Sequence, residues 1–338
     1  MPFVPDTFSS PMTSNALPIK LTSRRLPGLD GIRGVAVCWV ILYHFAADTG
    51  YRWLDALAIR GGFGVQIFLV LSGFIITTLL LAEESRGGVL LGKFYVRRAV
   101  RIIPVVTGLL AVLAIFQSLG LIALQSADYW ASLAFVRNYV EGSGETAHLW
   151  SLSVEEQFYL VWPALFVSLP GRIPKAIACA AVFVIAEGYR STIYGFSALP
   201  PASVGNQTQF HVAPLAAGAL GAIATQGRAL SASAINPAGL IAVALFPFVP
   251  NVFRFGCVAV IICAAAYGQG AITRTLEFTP LKALGKVSYS LYIWQQPWSI
   301  GPLSAWPAWA KAACVVGFTL ASYFWIERPA HRFNSRFR

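Results

Sequence analysis

The sequence contains few charged residues. Asp, Glu, Lys and Arg make up 12% of the 338 residues, whereas ordinary globular domains contain about 25%. Hydrophobic residues make up 57%, and the mean hydropathy is +0.64. Apolar stretches long enough to cross a bilayer recur along the whole chain. The composition therefore excludes an ordinary soluble domain and predicts an all-α, polytopic membrane protein.

Familiar metal and nucleotide motifs are also missing. The sequence has no HExxH, P-loop or Rossmann glycine pattern, so metal and nucleoside-triphosphate chemistry are unsupported. Its five cysteines lie in apolar runs without C-x-x-C spacing. We interpret them as small core residues, not as disulfides or metal ligands. No metal site is expected.

Acidic residues are few: the sequence has 14 Asp and Glu residues against 25 Lys and Arg residues, which gives a net charge of +11. The basic residues cluster in short connections between apolar runs, as the positive-inside rule expects, so nucleic acid is not a predicted partner. In the predicted topology, 18 of the 25 Lys and Arg residues lie on one side and six on the other, with Arg33 at the inner edge. This asymmetry predicts cytoplasmic N- and C-termini in a multi-pass protein of the cell (inner) membrane, with lipid as a partner.

Breaker residues divide the chain into about ten predicted spans. Residues 1–26 are polar and contain proline, which predicts a disordered cytoplasmic tail. Residues 27–329 form the predicted membrane domain and 330–338 a cytoplasmic tail. Segment 128–140 is too short to span and is expected along the interface. The spans are predicted at 31–48, 63–82, 102–124, 152–169, 176–190, 211–226, 236–250, 255–271, 287–303 and 308–327.

The first span carries Arg33 and His44, although a charge at the bilayer centre costs about 2.5–3.5 kcal/mol even on lenient scales. The two residues are 11 positions apart, which is about 20° more than three full helical turns, so they lie on the same face of the helix. Their separation along the helix axis is about 16 Å. Taken singly, each residue fits a structural role as well as a functional one: Arg33 as an interfacial anchor and His44 as a hydrogen-bonded core histidine. Taken together, they favour a cavity with a positive mouth and a histidine suited to proton transfer.

A second polar cluster lies in HLWSLSVEEQFYLVWPAL, residues 148–165. Ser153 and Glu156 fit a capping box, which predicts a helix start near Ser153 and a structural role for Glu156. Glu155, Tyr159 and Trp162 would then share a face. We predict that Glu155 orients an imidazole or binds a sugar hydroxyl.

A third motif, FYVRRAVRIIP, places Arg97, Arg98 and Arg101 before Pro104 at the expected cytoplasmic border. Anchoring to anionic lipid explains such a cluster as well as phosphate binding does, and position alone does not separate them. Further polar residues within spans are interpreted as cavity-lining, whereas Gly73 fits close helix packing. These cavity-lining residues are Gln66, Ser72, Tyr159, Tyr292 and Gln295. The outer loop 191–210 is a candidate for acceptor selectivity.

Five stretches follow one another along residues 27–329: LDGIRGVAVCWVILYHF, GGFGVQIFLVLSGFIITTLL, FYVRRAVRIIP, HLWSLSVEEQFY and GKVSYSLYIWQQP. In this order they resemble acyltransferase family 3, whose members are bacterial membrane enzymes that O-acylate surface and secreted carbohydrates. The resemblance covers residues 27–329.

The resemblance implies ten helices and transfer of an acyl group, usually acetyl, from cytoplasmic acetyl-CoA to a carbohydrate or lipid-linked sugar on the far side, with polysaccharide assembly machinery as a potential partner. It assigns the family's R-x10-H pattern to Arg33 and His44, with Asp30 just before it. The SLSVEE motif falls on Ser153 and Glu155. Gln295 stands where the family often has histidine, so it receives no titratable role. The implied donor-binding residues are Arg33, Arg97, Arg98 and Arg101.

Hydroxyl acylation needs a base, a donor within reach and stabilisation of an oxyanion. The leading hypothesis is direct attack with His44 as general base and Glu155 orienting it. A covalent intermediate on His44, Ser72 or Ser153 is left open. The alternative function is a proton-coupled exporter of a polysaccharide precursor, which the scarcity of charges inside spans and the absence of an internal repeat disfavour.

Overall fold

The computed structural model describes residues 26, 28–45, 62–195, 206–225 and 232–335, and this part of the chain is helical without a strand. The predicted tail 1–26, apart from Leu26, lies outside the described residues, as does half of loop 191–210. The helices are α1 Leu29–Phe45, α2 Gly62–Glu84, α3 Leu91–Ser118, α4 Ser126–Leu133, α5 Gly144–Ala147, α6 Leu149–Ser168, α7 Arg172–Tyr194, α8 Thr208–Thr225, α9 Ala232–Leu245, α10 Asn251–Tyr267, α11 Ala271–Leu276, α12 Thr279–Gln295, α13 Ala308–Ser322 and α14 Arg328–Ser335.

Each of the ten predicted spans overlaps one of these helices. Four described helical stretches are long and apolar enough to cross a membrane: Gly62–Glu84, Leu91–Ser118, Arg172–Tyr194 and Ala308–Ala330. The last stretch combines α13, a π-helical turn at Tyr323–Glu327 and the start of α14. The segment 330–338, predicted only as a tail, is helical as far as Ser335.

Helix α2 lies at the centre of the molecule. It is the most buried of the four apolar stretches, and it packs most extensively on α8. A Cβ on Gly73 would overlap the carbonyl oxygen of Leu215, and one on Gly218 would overlap that of Val70. These glycines let two backbones touch, as small residues do between membrane helices. The packing interpretation of Gly73 is thereby confirmed.

Helix α1 packs on α12 in a similar way, because Gly285 leaves room for the backbone of Asp30. Its N-terminus is fixed by Glu277, whose carboxylate accepts hydrogen bonds from the Gly28 N–H at 2.8 Å and from Lys282 at 2.9 Å. The Gly28 hydrogen bond and the nearby Lys282 together lower the pKa of Glu277. The carboxylate therefore stabilises a helix N-terminus, where backbone N–H groups lack partners.

The helix of the third predicted span starts before the span does. Helix α3 begins at Leu91 rather than near residue 102, so the arginine cluster lies inside the helix. Hydropathy excluded the charged turn from the span, but arginine and lysine are good helix formers. Acidic side chains of other helices also face this turn, as described below.

Candidate active site

The histidine of the first helix has a defined tautomer. His44 lies in the last turn of α1, and its Nδ1 is 3.0 Å from the carbonyl oxygen of Val40. A carbonyl only accepts hydrogen bonds, so Nδ1 carries the proton and Nε2 keeps its lone pair. Arg33 lies in the same helix near its other end and forms an ion pair with Asp30 at 3.5 Å. The shared helix predicted for Arg33 and His44 is confirmed.

A cluster of polar side chains connects α2, α3 and α6. Ser72 donates a hydrogen bond of 3.0 Å to one oxygen of Glu155, and Tyr159 donates one of 3.4 Å to the other. The guanidinium of Arg98 lies 3.7 Å from the centre of the Tyr159 ring, 4.0 Å from Glu155 and 3.5 Å from Glu156. One arginine thus lies beside two neighbouring carboxylates and stacks on an aromatic face, as guanidinium groups favour.

The polar cluster continues towards the Arg33 end of the molecule. Arg101 interacts electrostatically with Arg33, Arg98 and Glu327. Glu327 is buried at the end of the π-helical turn and accepts a hydrogen bond of 2.9 Å from Ser290. Turns of this kind occur frequently at functional sites. Two arginines that interact in this way without a bond between them can offer their charges to an anion.

Towards the His44 end, Tyr292 extends the same cluster. Its hydroxyl is 2.6 Å from Ser151 Oγ and donates a hydrogen bond of 2.9 Å to the His148 carbonyl oxygen. Glu155 interacts electrostatically with Tyr292, and His148 interacts electrostatically with His44. A polar column therefore runs from Arg33 and Arg101, through Arg98 and Glu155, to Tyr292, His148 and His44.

Glu155 does not occupy the position expected for a residue that orients His44. The backbone carbonyl of Val40 holds the imidazole, while Glu155 is engaged by Ser72, Tyr159 and Arg98. Spacing along one helix could not show which helix would face Glu155. The geometry makes Glu155 the centre of the column.

The capping-box prediction is wrong. Helix α6 begins at Leu149, with His148 as its N-cap, so Ser153 lies one turn inside. The Ser153 hydroxyl donates a hydrogen bond of 2.9 Å to the Leu149 carbonyl and accepts one of 3.2 Å from the Arg137 N–H. Serines inside helices commonly bond to their own backbone in this way. Glu156, the expected capping partner, lies beside Arg98 instead.

The segment before His148 is fixed by a buried network outside the membrane-spanning stretches. Asp128, at 0% exposure, accepts hydrogen bonds from Thr146 and Ser143 at 2.7 Å each and lies 3.5 Å from Arg137. Burial opposes ionisation of this carboxyl group, but the hydrogen bonds from Thr146 and Ser143 outweigh burial and lower its pKa. The network holds in place the chain that leads to His148.

The remaining predicted residues have defined surroundings. Arg97 forms an ion pair with Glu83. Gln66 lies 3.1 Å from His211, and Gln295 donates a weak hydrogen bond of 3.3 Å to Gln296. Both glutamines are buried, and their carbonyl oxygens have no hydrogen-bond partner within the described chain. The predicted cavity-lining residues thus include two buried acceptors that are free.

Sequence reasoning missed two buried residues of the column, His148 and Glu327. Neither residue receives a role from the sequence alone. Nothing in local spacing identifies either, because their neighbours come from α1 and α12 for His148 and from α3 and α12 for Glu327. Among the described residues, no group of three or more His, Cys, Asp or Glu side chains is arranged to hold a metal ion.

Comparison with known proteins places this geometry in context. The chain is 28% identical to the peptidoglycan O-acetyltransferase OatA of Listeria monocytogenes over 93% of its own length and 57% of the relative's. It is 31% identical to the O-acetyltransferase OatA of Staphylococcus aureus over 81% of its own length and 50% of the relative's. The chain thus spans about half the length of these curated relatives. No solved structure matches it significantly.

The family comparison covers nearly the whole chain. A family model described as an acyltransferase domain matches residues 26–328. This range contains every helix of the polar column. The chain belongs to acyltransferase family 3.

Proposed function

We propose that this protein is a membrane-embedded O-acetyltransferase that moves acetyl from acetyl-CoA to a hydroxyl group of a cell-wall carbohydrate. Both relatives are named O-acetyltransferases, and one is named for peptidoglycan. The observation that carries the proposal is the Nδ1 hydrogen bond of His44 to Val40, which leaves Nε2 without a partner among the described residues at one end of the polar column. The two guanidinium groups at the other end supply the complementary anion site.

His44 acts as the general base. Its Nδ1 proton is committed to Val40, so Nε2 is the atom that takes the proton of the acceptor hydroxyl. The orienting role that proteins often give to a carboxylate falls here to a backbone carbonyl. Glu155 acts as a positioning residue, because it holds Ser72 and Arg98 in the middle of the column.

Arg33 and Arg101 bind the donor. Arg97 and Arg98 lie against Glu83, Glu155 and Glu156, and Arg33 lies against Asp30, so Arg101 has the most charge of the four to offer an anion. Arg101 has no hydrogen bond or ion pair within the described chain, and it interacts electrostatically with Arg33 and Glu327. The phosphates of acetyl-CoA fit such a pair, since arginine binds phosphate through two parallel hydrogen bonds. Acetyl-CoA supplies the activated thioester, and no metal is required.

The charge pattern supports a proposal for the membrane arrangement. We propose ten spans in the inner membrane, both termini in the cytoplasm and residues 27–329 as the acyltransferase domain. Helices α2 and α8, the second and sixth spans, run in the same direction, because Gln66 contacts His211 while Val70 and Gly73 contact Gly218 and Leu215. The proposed topology requires this, because successive spans alternate in direction and all even-numbered spans therefore run the same way. The donor then enters from the cytoplasm, and the acceptor, together with lipid and assembly machinery, lies at the other face.

The base is tested with purified protein in lipid vesicles, radiolabelled acetyl-CoA and a peptidoglycan fragment. We expect wild type to form alkali-labile acetate ester and His44→Ala to lose activity at least about a hundredfold, as removal of a general base does. Val35→Ala, at an exposed position on the same helix, is the control and should retain activity. Equal activity of wild type and His44→Ala would contradict the role of His44.

The donor site is tested separately by Arg101→Gln. Loss of a charge-assisted hydrogen bond of about 1.5–3 kcal/mol should raise the KM for acetyl-CoA more than tenfold while kcat changes little. Lys93→Gln, at an exposed position two turns earlier in α3, should leave KM unchanged. An unchanged KM in Arg101→Gln would remove this residue from the donor site.

The polar column also suits a proton-coupled exporter, which needs titratable groups across the membrane. That function predicts movement of carbohydrate through the vesicle wall with no ester formed. Ester formation that depends on acetyl-CoA would therefore support the transferase over the exporter.

A further inference from the structure

His148 presents an unusual combination of burial and missing hydrogen bonds. The residue is 4% exposed, and neither ring nitrogen has a hydrogen bond of normal length and angle within the described chain, although the Ile293 carbonyl lies near the ring. A neutral imidazole carries one donor and one acceptor. Leaving such groups buried and unpaired is costly, so a native structure that does so calls for an explanation.

The rest of His148 is held firmly. Its carbonyl oxygen accepts hydrogen bonds from Tyr292 at 2.9 Å and from the Ser151 hydroxyl at 3.4 Å, and the edge of its ring packs against Tyr292. Two hydroxyl groups thus hold the backbone of this residue, whereas the ring has only the Ile293 carbonyl nearby and no normal hydrogen bond within the described chain. A fixed backbone with an imidazole that lacks a normal hydrogen bond is the arrangement expected of a group that meets a ligand.

The position of the ring points to the reacting atoms. His148 interacts electrostatically with His44, whose Nε2 has no hydrogen-bond partner among the described residues. Other buried polar atoms without partners differ in kind. The free atoms of Gln66 and Gln295 are carbonyl oxygens, which cannot donate a hydrogen bond, and the indoles of Trp294 and Trp298 stack on Phe318. Among these groups, His148 combines an N–H donor with proximity to the base.

We propose that His148 is a second catalytic residue, whose ring N–H donates a hydrogen bond to the thioester carbonyl oxygen of the acyl donor. This inference rests on the proposed acetyl transfer. The acceptor hydroxyl oxygen bonds to the thioester carbon while its proton moves to Nε2 of His44, and negative charge develops on the carbonyl oxygen facing His148. Collapse of this intermediate breaks the carbon–sulfur bond, and the leaving thiolate takes the proton from His44. The protonation state of His148 stays the same throughout the reaction.

The test compares His148→Leu and His148→Gln with wild type in the vesicle assay at equal amounts of folded protein. Removing an oxyanion donor lowers kcat about 10²–10³-fold in well-studied hydrolases, so we expect a loss of this size in His148→Leu with little change in the KM for acetyl-CoA. His148→Gln retains an N–H donor and should be at least about tenfold more active than His148→Leu. Thr78→Val, which removes a buried hydroxyl bonded to its own helix, is the control and should keep wild-type kcat.

Wild-type kcat in His148→Leu, or an equal loss in both variants accompanied by a raised KM, would overturn the role of His148. An inactive wild type would instead refute the proposed transferase, so the two failures are distinct. If His148→Leu does not fold, the test is the NMR spectrum of wild-type protein with ¹⁵N-labelled histidine. The spectrum is simple because the chain has only four histidines. Acetonyl-CoA, whose ketone replaces the thioester, should shift the N–H resonance that His148→Gln removes. An unmoved resonance would overturn the proposal.

Discussion

Replacing Arg98 with methionine should destabilise the protein by about 3 kcal/mol. Arg98 lies 4.0 Å from Glu155 and 3.5 Å from Glu156, and it stacks on Tyr159 at 3.7 Å. At 4 Å, two unit charges attract by about 4 kcal/mol at the effective dielectric constant typical of proteins. Breaking a buried pair from one side costs about 3–5 kcal/mol. The side chains retain 16–18% exposure, so water offsets part of the loss and the lower end applies.

The assay is equilibrium unfolding in mixed micelles, followed through the ten tryptophans. A double-mutant cycle with Glu156→Gln isolates the interaction, because removing the second partner leaves less unpaired charge. We expect the double variant to lose about 1–2 kcal/mol less than the sum of the single variants. Lys93→Met is the exposed control and should stay within about 0.5 kcal/mol of wild type. A loss below about 1 kcal/mol in Arg98→Met, or strict additivity, would refute the reasoning.

Three further predictions follow from other contacts. Gly73→Ala should cost about 1–3 kcal/mol in the same unfolding assay, because its Cβ would overlap the Leu215 carbonyl, whereas Gly188→Ala, which meets open space, should be neutral or stabilising; equal effects would contradict the close packing of α2 on α8. Asp128 has a lowered pKa, so its stabilising contribution is complete above the ordinary carboxyl pKa of about 3.9 and is lost as the pH falls through the lower folded value. The free-energy difference between wild type and Asp128→Asn should therefore be constant from pH 7 to about pH 5 and shrink below about pH 4, and a difference independent of pH would exclude this role. Trp162→Phe removes a hydrogen bond of 2.9 Å to Thr77 and should cost about 0.5–1.5 kcal/mol with kcat retained; a large fall in kcat would place this tryptophan in the active site.

The helical class and the main elements could be predicted from sequence, because long apolar runs and the shared face of Arg33 and His44 are properties of single helices. The start of α3 could not be predicted in this way. The charges of Arg97 and Arg98 are compensated by Glu83, Glu155 and Glu156 from other helices, and a hydropathy profile contains no information on contacts between helices. The start of α6 was wrong because Ser153 matches a cap in spacing while its hydroxyl bonds to Leu149 inside the helix.

The candidate site shows the same division. The sequence identified the residue types of the polar column, but contacts between helices decide what each residue does. Glu155 was assigned to His44 through chemistry alone, whereas Ser72 and Arg98 hold it. His148 was missed because its significance lies in free ring nitrogens and the nearby His44, which belong to the packed molecule.

The central claim is that acetyl passes through the polar column, from a donor on the arginine side to a hydroxyl on the His44 side. It is tested most directly with oriented vesicles that enclose the carbohydrate acceptor, with radiolabelled acetyl-CoA added outside to the face bearing Arg33 and Arg101. The account predicts alkali-labile label on the enclosed carbohydrate with wild type and none with His44→Ala. Label on the enclosed carbohydrate with both proteins, or with neither while the carbohydrate itself crosses the membrane, would contradict it.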